Sequence, residues 1–243
     1  MIYGYNDYEE KVGSYENPQY GNVYLNTQTW AILSHALDEK ENEAIMDLVE
    51  SKLKCDYGYK LVDTSIKEGT DRIGRVSYFF PGCFENGSVY IHGNAFKIAA
   101  DLMLKRADKA YETLKLIRYN NPKNPHSGME PFAISNMFLG PEAGAIKGFA
   151  PQSWITGSAG WIYRDITESM MGIKADFDGL RIDPCLPKEF KDVKITRIYR
   201  GATYEVHLIQ DGNHLLKVDD HEIEGNLVRQ FESRTLHTVE FHF

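Results

Sequence analysis

Residues 79–94, FFPGCFENGSVYIHGN, bring together residue types that a sugar or anion site uses. Glu85 and Asn86 stand at the end of a loop, and His92 lies on the first turns of the helix predicted to follow. A carboxylate, an amide and an imidazole can therefore converge on one cleft. Two of them have structural alternatives, since Glu85 can stabilise a helix dipole and His92 can be a satisfied interior histidine. One glutamate and one histidine do not identify a reaction.

Residues 153–161, SWITGSAGW, open a second predicted helix with small and hydroxyl-bearing side chains. Backbone N–H groups at such a start, beside the Thr156 hydroxyl, suit a phosphate oxygen. Gly157 permits close approach of the backbone. The alternative is tight helix packing, which also uses small residues. The sequence is not a P-loop, because the lysine and the glycine spacing of that motif are absent.

Glu130, in the string MEPF, is another candidate carboxylate, although an acid before a proline at a helix start is its ordinary explanation. Paired with Glu85, it would suit an (α/α) toroid glycoside hydrolase, which needs two carboxyl groups. The DxDG string at residues 176–179 resembles half of a calcium loop but lacks the glutamate at the required offset. Serine-hydrolase GxSxG and zinc HExxH motifs are absent.

The composition excludes several classes of protein. The 243 residues carry 27 Lys and Arg against 35 Asp and Glu, a formal charge of -8 that disfavours nucleic acid as a partner. No long apolar run or basic leader occurs, so we expect no membrane span, no signal peptide and a cytoplasmic location. Cys55, Cys83 and Cys185 are odd in number and lack metal spacing, which predicts reduced thiols and no metal site.

The hydrophobic pattern predicts a mainly α protein followed by a small antiparallel β element. About six helices are expected in three hairpins, at residues 27–37 and 45–53, 88–104 and 107–117, and 131–138 and 153–171. After Gly172 the chain alternates and is rich in Val, Ile, Thr and Tyr, the pattern of strands. Helical hairpins joined by long loops are typical of an (α/α) toroid, and these would form about half of one.

Six strings, in chain order, carry a resemblance to a known family: YLNTQTWAIL, FPGCFENGSVYIHGNAF, MEPFAISNMFLGP, QSWITGSAGWIYR, GIKADFDGLRIDPCLP and TRIYRGATYEV. They resemble the C-terminal part of glycoside hydrolase family 94, the inverting glycoside phosphorylases such as cellobiose and chitobiose phosphorylases. The resemblance implies that residues 1–172 are the second half of an (α/α)6 catalytic barrel. It implies that residues 173–243 are the family's C-terminal β domain.

The resemblance also implies an activity, phosphorolysis of a β-linked disaccharide to an α-sugar 1-phosphate and a free sugar. Inorganic phosphate would be the co-substrate, with no other cofactor. Phosphate binding falls on His92, Thr156 and Gly157, with Asn136 where several relatives carry a glutamine. Sugar contacts fall on Glu85 and on Phe79, the latter where many members have a tyrosine.

The family's general acid is an aspartate in a GDWND-like string, and no such string occurs in these residues. The sequence therefore assigns no catalytic residue, and we expect the isolated chain to be inactive as the C-terminal piece of a phosphorylase. We also expect it to form a homo-oligomer or to associate with the part that carries the acid. The alternatives are the toroid hydrolase and a carbohydrate-binding or assembly module. Such a module would bind sugar with an affinity that does not depend on phosphate.

Overall fold

Five α-helices form among the described residues of this computed structural model, which are 1–230 and 232–243. They are α1 (Leu25–Leu33), α2 (Glu39–Leu53), α3 (Ile91–Met103), α4 (Ala107–Ile117) and α5 (Ser158–Arg164). The last of these continues as a π-helix at Asp165–Met170. Short 3-10 turns lie at Pro18–Tyr20, Gly74–Tyr78 and Pro141–Ile146.

Helix α2 shows how the sequence fixes these elements. Asp38 accepts a hydrogen bond from the Glu41 backbone N–H at 2.8 Å, and the Glu41 carboxylate accepts one from the Asp38 N–H at 3.1 Å. This capping box satisfies two N–H groups at the helix start. One face of the helix then buries four apolar side chains, those of Ile45, Met46, Val49 and Leu53.

The chain divides into two compact units. The first contains Met1–Leu104 and Lys109–Ile162, and the second contains Lys105–Asp108 and Tyr163–Phe243. All six candidate site residues lie in the first unit. Its strands form three short antiparallel pairs, β1 (Gly4–Tyr5) with β2 (Lys11–Val12), β3 (Lys54–Cys55) with β4 (Gly58–Tyr59), and β5 (Val89–Tyr90) with β6 (Met137–Phe138).

The start of α3 is tied to strand β4 by the buried side chain of Asn94. Its Oδ1 accepts from the Tyr59 N–H at 2.8 Å, and its Nδ2 donates to the carbonyls of Tyr59 and Tyr90, each at 2.9 Å. Because buried backbone groups need partners, these bonds fix where α3 begins. They thereby fix the position of His92, which lies on the first turn of α3.

A buried ion network joins α2, α3 and α4. The ammonium of Lys97, fully buried, lies 2.7 Å from Asp101 and 2.9 Å from Glu50. It also donates to the Thr113 hydroxyl at 3.0 Å and lies 4.2 Å above the Tyr59 ring. The Lys97 and Tyr59 contacts hold the pKa of Glu50 at about 2, despite the desolvation that acts in the opposite direction.

The second unit contains most of the regular strands. A five-stranded sheet has the order β12 (His221–Ile223), β11 (Leu215–Val218), β14 (Leu236–His242), β10 (Ala202–Ile209) and β9 (Asp192–Tyr199). A three-stranded sheet has the order β13 (Leu227–Val228), β8 (Gly179–Ile182) and β7 (Ile173–Asp176). Side chains of β10 alternate between buried and more exposed positions, as a strand with one covered face requires.

The prediction of a mainly α fold, half of an (α/α)6 toroid with an antiparallel β appendage, is wrong. Helices make up 31% of the chain and strands 24%. Strands β10 and β14 are parallel, so the five-stranded sheet is mixed. The helix predicted at residues 131–138 does not form, because Phe132 has a φ of 62° and residues 137–138 pair with β5 instead.

Candidate active site

The imidazole of His92 lies beside Gly157, although 64 residues separate them in the sequence. A Cβ at position 157 would lie 3.0 Å from His92 Cε1 and 3.5 Å from Nε2. The space next to the ring therefore exists because residue 157 has no side chain. Gly157 is exposed, so a ligand can reach its backbone from solvent.

Aromatic side chains surround the other faces of His92. Its ring centre lies 5.2 Å from Phe96 and 6.5 Å from Trp161, and Trp30 packs against both of these residues. This partial burial lowers the pKa of His92, since burial disfavours the charged imidazolium. The lowered pKa favours the neutral imidazole, in which one nitrogen donates a hydrogen bond and the other accepts one.

Thr156 shapes the turn that leads into α5. Its Oγ1 accepts from the Ser158 N–H at 3.0 Å and lies 2.6 Å from the Ser158 hydroxyl. The hydroxyl is thus part of a local turn that orders residues 156–158. Gly157 lies beside His92, and Thr156 is the residue before Gly157 in the chain; their part in phosphate binding stays a prediction.

Asn136 connects the two segments that carry these residues. Its carbonyl accepts from the Ile91 N–H at 3.0 Å, and its Nδ2 donates to the Ile155 carbonyl at 3.2 Å. These partners, Ile91 and Ile155, directly precede His92 and Thr156 in the chain. The Asn136 Oδ1 is buried without a hydrogen-bond partner and can accept a hydrogen bond, while Nδ2 keeps a second N–H beyond the one donated to Ile155.

Glu85 and Phe79 lie in the long loop between β4 and β5. One carboxylate oxygen of Glu85 is 3.5 Å from the guanidinium of Arg75, and the other is buried without a hydrogen-bond partner. Arg75 also lies 5.8 Å from the centre of the Phe79 ring, which packs on Phe84 at 5.1 Å. Glu85 borders a cavity of about 280 Å³ that has apolar walls and three polar residues from the start of α1, Tyr24, Asn26 and Thr27.

Glu130 has partners of its own. Side-chain hydrogen bonds from Ser153 and Trp154 lower the pKa of its carboxyl group. Glu85 instead faces Arg75. Each carboxylate is therefore engaged in a different part of the first unit, and nothing in these contacts forms the carboxylate pair of a hydrolase.

Two contributions to the site were not predicted from the sequence. Arg75 lies in the 3-10 turn Gly74–Tyr78 of a long loop, where no local signal in the sequence distinguishes it from other surface arginines. Tyr24, Asn26 and Thr27 lie in or beside the string YLNTQTWAIL, which carries part of the family resemblance, and that string was the available signal. The Asn86 amide, expected to point into the cleft, is fully buried among backbone groups.

The described residues contain no cluster of three His, Cys, Asp or Glu side chains arranged to hold a metal ion. Cys55, Cys83 and Cys185 are not joined in disulfide bonds. Within the described part of the chain, no helix has both the length and the apolar character needed to cross a membrane.

Comparison with known proteins identifies the family. Residues 1–172 match the model of the glycosyl hydrolase 94 superfamily, catalytic domain, and the chain belongs to this family. Its relatives include disaccharide phosphorylases. The solabiose phosphorylase of Paenibacillus borealis is 38% identical over 243 residues, which cover 97% of this chain and 31% of the relative.

Two other relatives show the same pattern. The 3-O-beta-D-glucopyranosyl-beta-D-glucuronide phosphorylase of Paenibacillus borealis is 31% identical and covers 86% of this chain and 27% of its own length. The N,N'-diacetylchitobiose phosphorylase of Vibrio furnissii is 33% identical, with coverages of 86% and 26%. The chain therefore spans less than a third of the length of these relatives.

Proposed function

We propose that this chain supplies the phosphate contacts and part of the sugar contacts for inverting phosphorolysis of a β-linked disaccharide. The products would be an α-sugar 1-phosphate and a free sugar. Membership of the family and the names of the relatives support this reaction class. The observation that carries the proposal is the position of the His92 imidazole against the side-chain-free Gly157.

This reaction requires the protein to bind a charged nucleophile, inorganic phosphate. A phosphate oxygen attacks the anomeric carbon from the face opposite the glycosidic oxygen, the C–O bond to that oxygen breaks, and the departing oxygen takes a proton. His92 would donate one N–H to phosphate, Thr156 its hydroxyl and Gly157 its backbone N–H. Holding phosphate beside the anomeric carbon removes much of the entropic cost of bringing the two together.

Asn136 would contribute an acceptor as well as the donor that a glutamine-like amide implies. Its Oδ1 is buried without a hydrogen-bond partner, and the Ile155 carbonyl takes one of the two Nδ2 hydrogens. A carbonyl oxygen accepts hydrogen bonds. We therefore assign Oδ1 to a P–OH or sugar hydroxyl and the second Nδ2 hydrogen to an anionic phosphate oxygen.

Glu85 would bind the sugar. Its contact to Arg75 is long for a hydrogen bond, so the carboxylate is only weakly held by that partner. A carboxylate accepts hydrogen bonds from hydroxyl groups, which is what a sugar presents. The Phe79 ring would provide an apolar surface for the same sugar.

The first experiment measures thermal stability against inorganic phosphate, with chloride as the ionic-strength control. A ligand that binds only the folded state at 100 times its Kd stabilises that state by about 2.7 kcal/mol. We expect a phosphate-specific rise in Tm that His92→Ala abolishes and His214→Ala, an exposed histidine of the second unit, preserves. No rise in the wild-type chain would contradict a preformed phosphate site. A rise with glucose that is indifferent to phosphate and to His92→Ala would favour a carbohydrate-binding module.

The second experiment concerns turnover. General acid catalysis commonly contributes about 10²–10⁴-fold, and we assign no general acid among these 243 residues. We therefore expect the isolated chain to release no sugar 1-phosphate from cellobiose and phosphate. Detectable sugar 1-phosphate, lost on His92→Ala, would show that the acid lies within this chain.

A further inference from the structure

We propose that Asn86 is a positioning residue whose buried amide holds the loop of Glu85 and Phe79 in the form that contacts sugar. The inference rests on the proposed function in that Glu85 and Phe79 are its sugar contacts. The placement of the loop itself is argued from contacts within the first unit.

The Asn86 side chain joins three separate backbone groups. Its Nδ2 donates to the carbonyls of Ile66 at 2.9 Å and Phe79 at 2.7 Å, and its Oδ1 accepts from the Ile66 N–H at 2.6 Å. Both hydrogens of the amide nitrogen are used. Asn86 is fully buried, so water cannot replace these bonds if they are lost.

The backbone of Asn86 closes the turn that presents Glu85. Its carbonyl accepts from the Gly82 N–H at 2.7 Å and from the Ser65 hydroxyl at 3.1 Å, and its N–H donates to the Cys83 carbonyl at 2.9 Å. Phe84 lies within this turn at a φ of 46°, a conformation that an L-residue adopts at a cost. The contacts around Asn86 oppose that cost and keep Glu85 at the corner of the turn.

Two residues that contact the same sugar thus depend on one amide. Phe79 is held through its own carbonyl, and Glu85 through the neighbouring peptide. A side chain at position 86 that cannot donate twice would release both. The donor and acceptor pattern is strict, because an aspartate would place a carboxylate oxygen against two carbonyl oxygens.

The chain contains a matched control in Asn94. This amide is also fully buried and also makes three hydrogen bonds to backbone, two as donor and one as acceptor. Its partners are Tyr59 and Tyr90, outside the 79–86 loop. Asn94→Asp therefore removes the same chemistry at another place.

The test is amide hydrogen exchange of the full 243-residue chain, with Asn86→Asp and Asn94→Asp compared with wild type. At pH 7 we expect Asn86→Asp to lower the protection of residues 79–86 by about tenfold or more, with α2 unchanged. Protection should return only in part as the pH falls, because a protonated carboxyl group donates one of the two hydrogen bonds that the Asn86 amide donates. Asn94→Asp should act on residues 58–59 and the start of α3 and leave residues 79–86 as they are.

Unchanged protection of residues 79–86 in Asn86→Asp would overturn the proposal. So would a uniform loss across the first unit, since that would make Asn86 a general stabiliser. If Asn86→Asp does not fold, Ser65→Ala removes a single donor to the Asn86 carbonyl and should lower protection in the same segment a few-fold, about threefold. No change in Ser65→Ala would then count against the proposal.

A ligand arm separates this inference from the proposed function. Glucose-dependent stabilisation should be lost in both Glu85→Gln and Asn86→Asp, while phosphate-dependent stabilisation is kept. If Glu85→Gln retains the glucose effect, the sugar assignment fails and the exchange result still decides whether Asn86 positions the loop. If Glu85→Gln loses it and Asn86→Asp does not, the positioning role is wrong.

Discussion

At the residue scale, the candidate phosphate site depends on the absence of a side chain at Gly157. A Cβ there would lie 3.0 Å from His92 Cε1, which is closer than a carbon contact allows without displacement. The backbone at this position does not require glycine, because Gly157 is not among the residues with positive φ. The requirement for glycine therefore comes from the imidazole beside it.

We predict that Gly157→Ala pushes the His92 ring aside by a few tenths of an ångström and weakens phosphate binding by about tenfold, since misplacing a binding group is costly. The control is Gly160→Ala in helix α5, which follows Gly157, since a Cβ at position 160 meets nothing within 4 Å. Gly160→Ala should leave phosphate binding unchanged and stabilise the helix by about 1 kcal/mol. Calorimetric titration with phosphate measures both variants, and equal affinities for them would refute the steric argument.

At the element scale, the buried Lys97 network determines how α2, α3 and α4 pack. We predict that Lys97→Met destabilises the first unit by about 3–5 kcal/mol, because the buried Asp101 and the Glu50 carboxylate lose their central cation. Lys54→Met is the control. Lys54 pairs with Glu112 and Glu50 but is 30% exposed, so its loss should cost about 1 kcal/mol or less. Urea denaturation followed by tryptophan fluorescence distinguishes the two.

The π-helix after α5 contains a carboxyl group in an unfavourable environment. Asp165 is almost fully buried, and desolvation raises its pKa from 3.8 to about 7. The carboxyl group of Asp165 therefore keeps its proton to a higher pH in the folded state than in the unfolded state. As the pH rises above about 3.8, the unfolded state ionises first, and the free energy of unfolding decreases. We predict that Asp165→Asn stabilises the second unit at pH 8, by about 4 kcal/mol at most, and has little effect at pH 4.

The exposed Asp178, in the turn between β7 and β8, provides the comparison for that variant. Asp178→Asn removes the same charge from a solvated position. It should change the unfolding free energy by about 0.5 kcal/mol or less at either pH. A similar effect of the two substitutions would mean that net charge, and not burial of Asp165, is responsible.

The sequence predicts a secondary-structure element well where local periodicity determines it. It predicts an element poorly where the element depends on pairing with residues distant in the sequence. Helix α4 was expected at residues 107–117 and is Ala107–Ile117, because periodicity determines it. The apolar spacing of residues 131–138 predicts a helix, but this segment instead pairs with β5 and with residues 152–153, which are distant in the sequence. The parallel register of β10 and β14 was missed for the same reason.

The candidate site follows the same rule. The family resemblance predicts that His92, Thr156 and Gly157 act together; the structure shows Gly157 beside His92, and their joint action stays a prediction. The roles of Asn86 and Arg75 depend on where a long irregular loop folds back. Asn86 bonds to Ile66 and Phe79, and sequence spacing gives no means to choose these partners.

At the scale of the whole molecule, titratable groups are distributed unequally between the two units. In the first unit, burial lowers the pKa of His92, so its folded form binds fewer protons and stability increases as pH rises toward about 6.5. In the second unit, hydrogen bonds from His242 to Asp211 and Glu240 raise the pKa of His242. Its contribution is present at low pH and is lost as pH rises through the raised value, in the same direction as that of Asp165.

We therefore predict that the two units respond oppositely between pH 5.5 and pH 8. The first unit should unfold at a higher temperature at pH 8, and the second at a lower one. The three tryptophans, Trp30, Trp154 and Trp161, all lie in the first unit, so their fluorescence follows that unit alone. Amide exchange in β10 and β14 follows the second.

The double variant Asp165→Asn, His242→Gln should remove the pH dependence of the second unit and leave the tryptophan transition unchanged, because both substitutions lie outside the first unit. If both probes shift in the same direction in the wild-type chain, the unequal distribution of these groups does not control its stability.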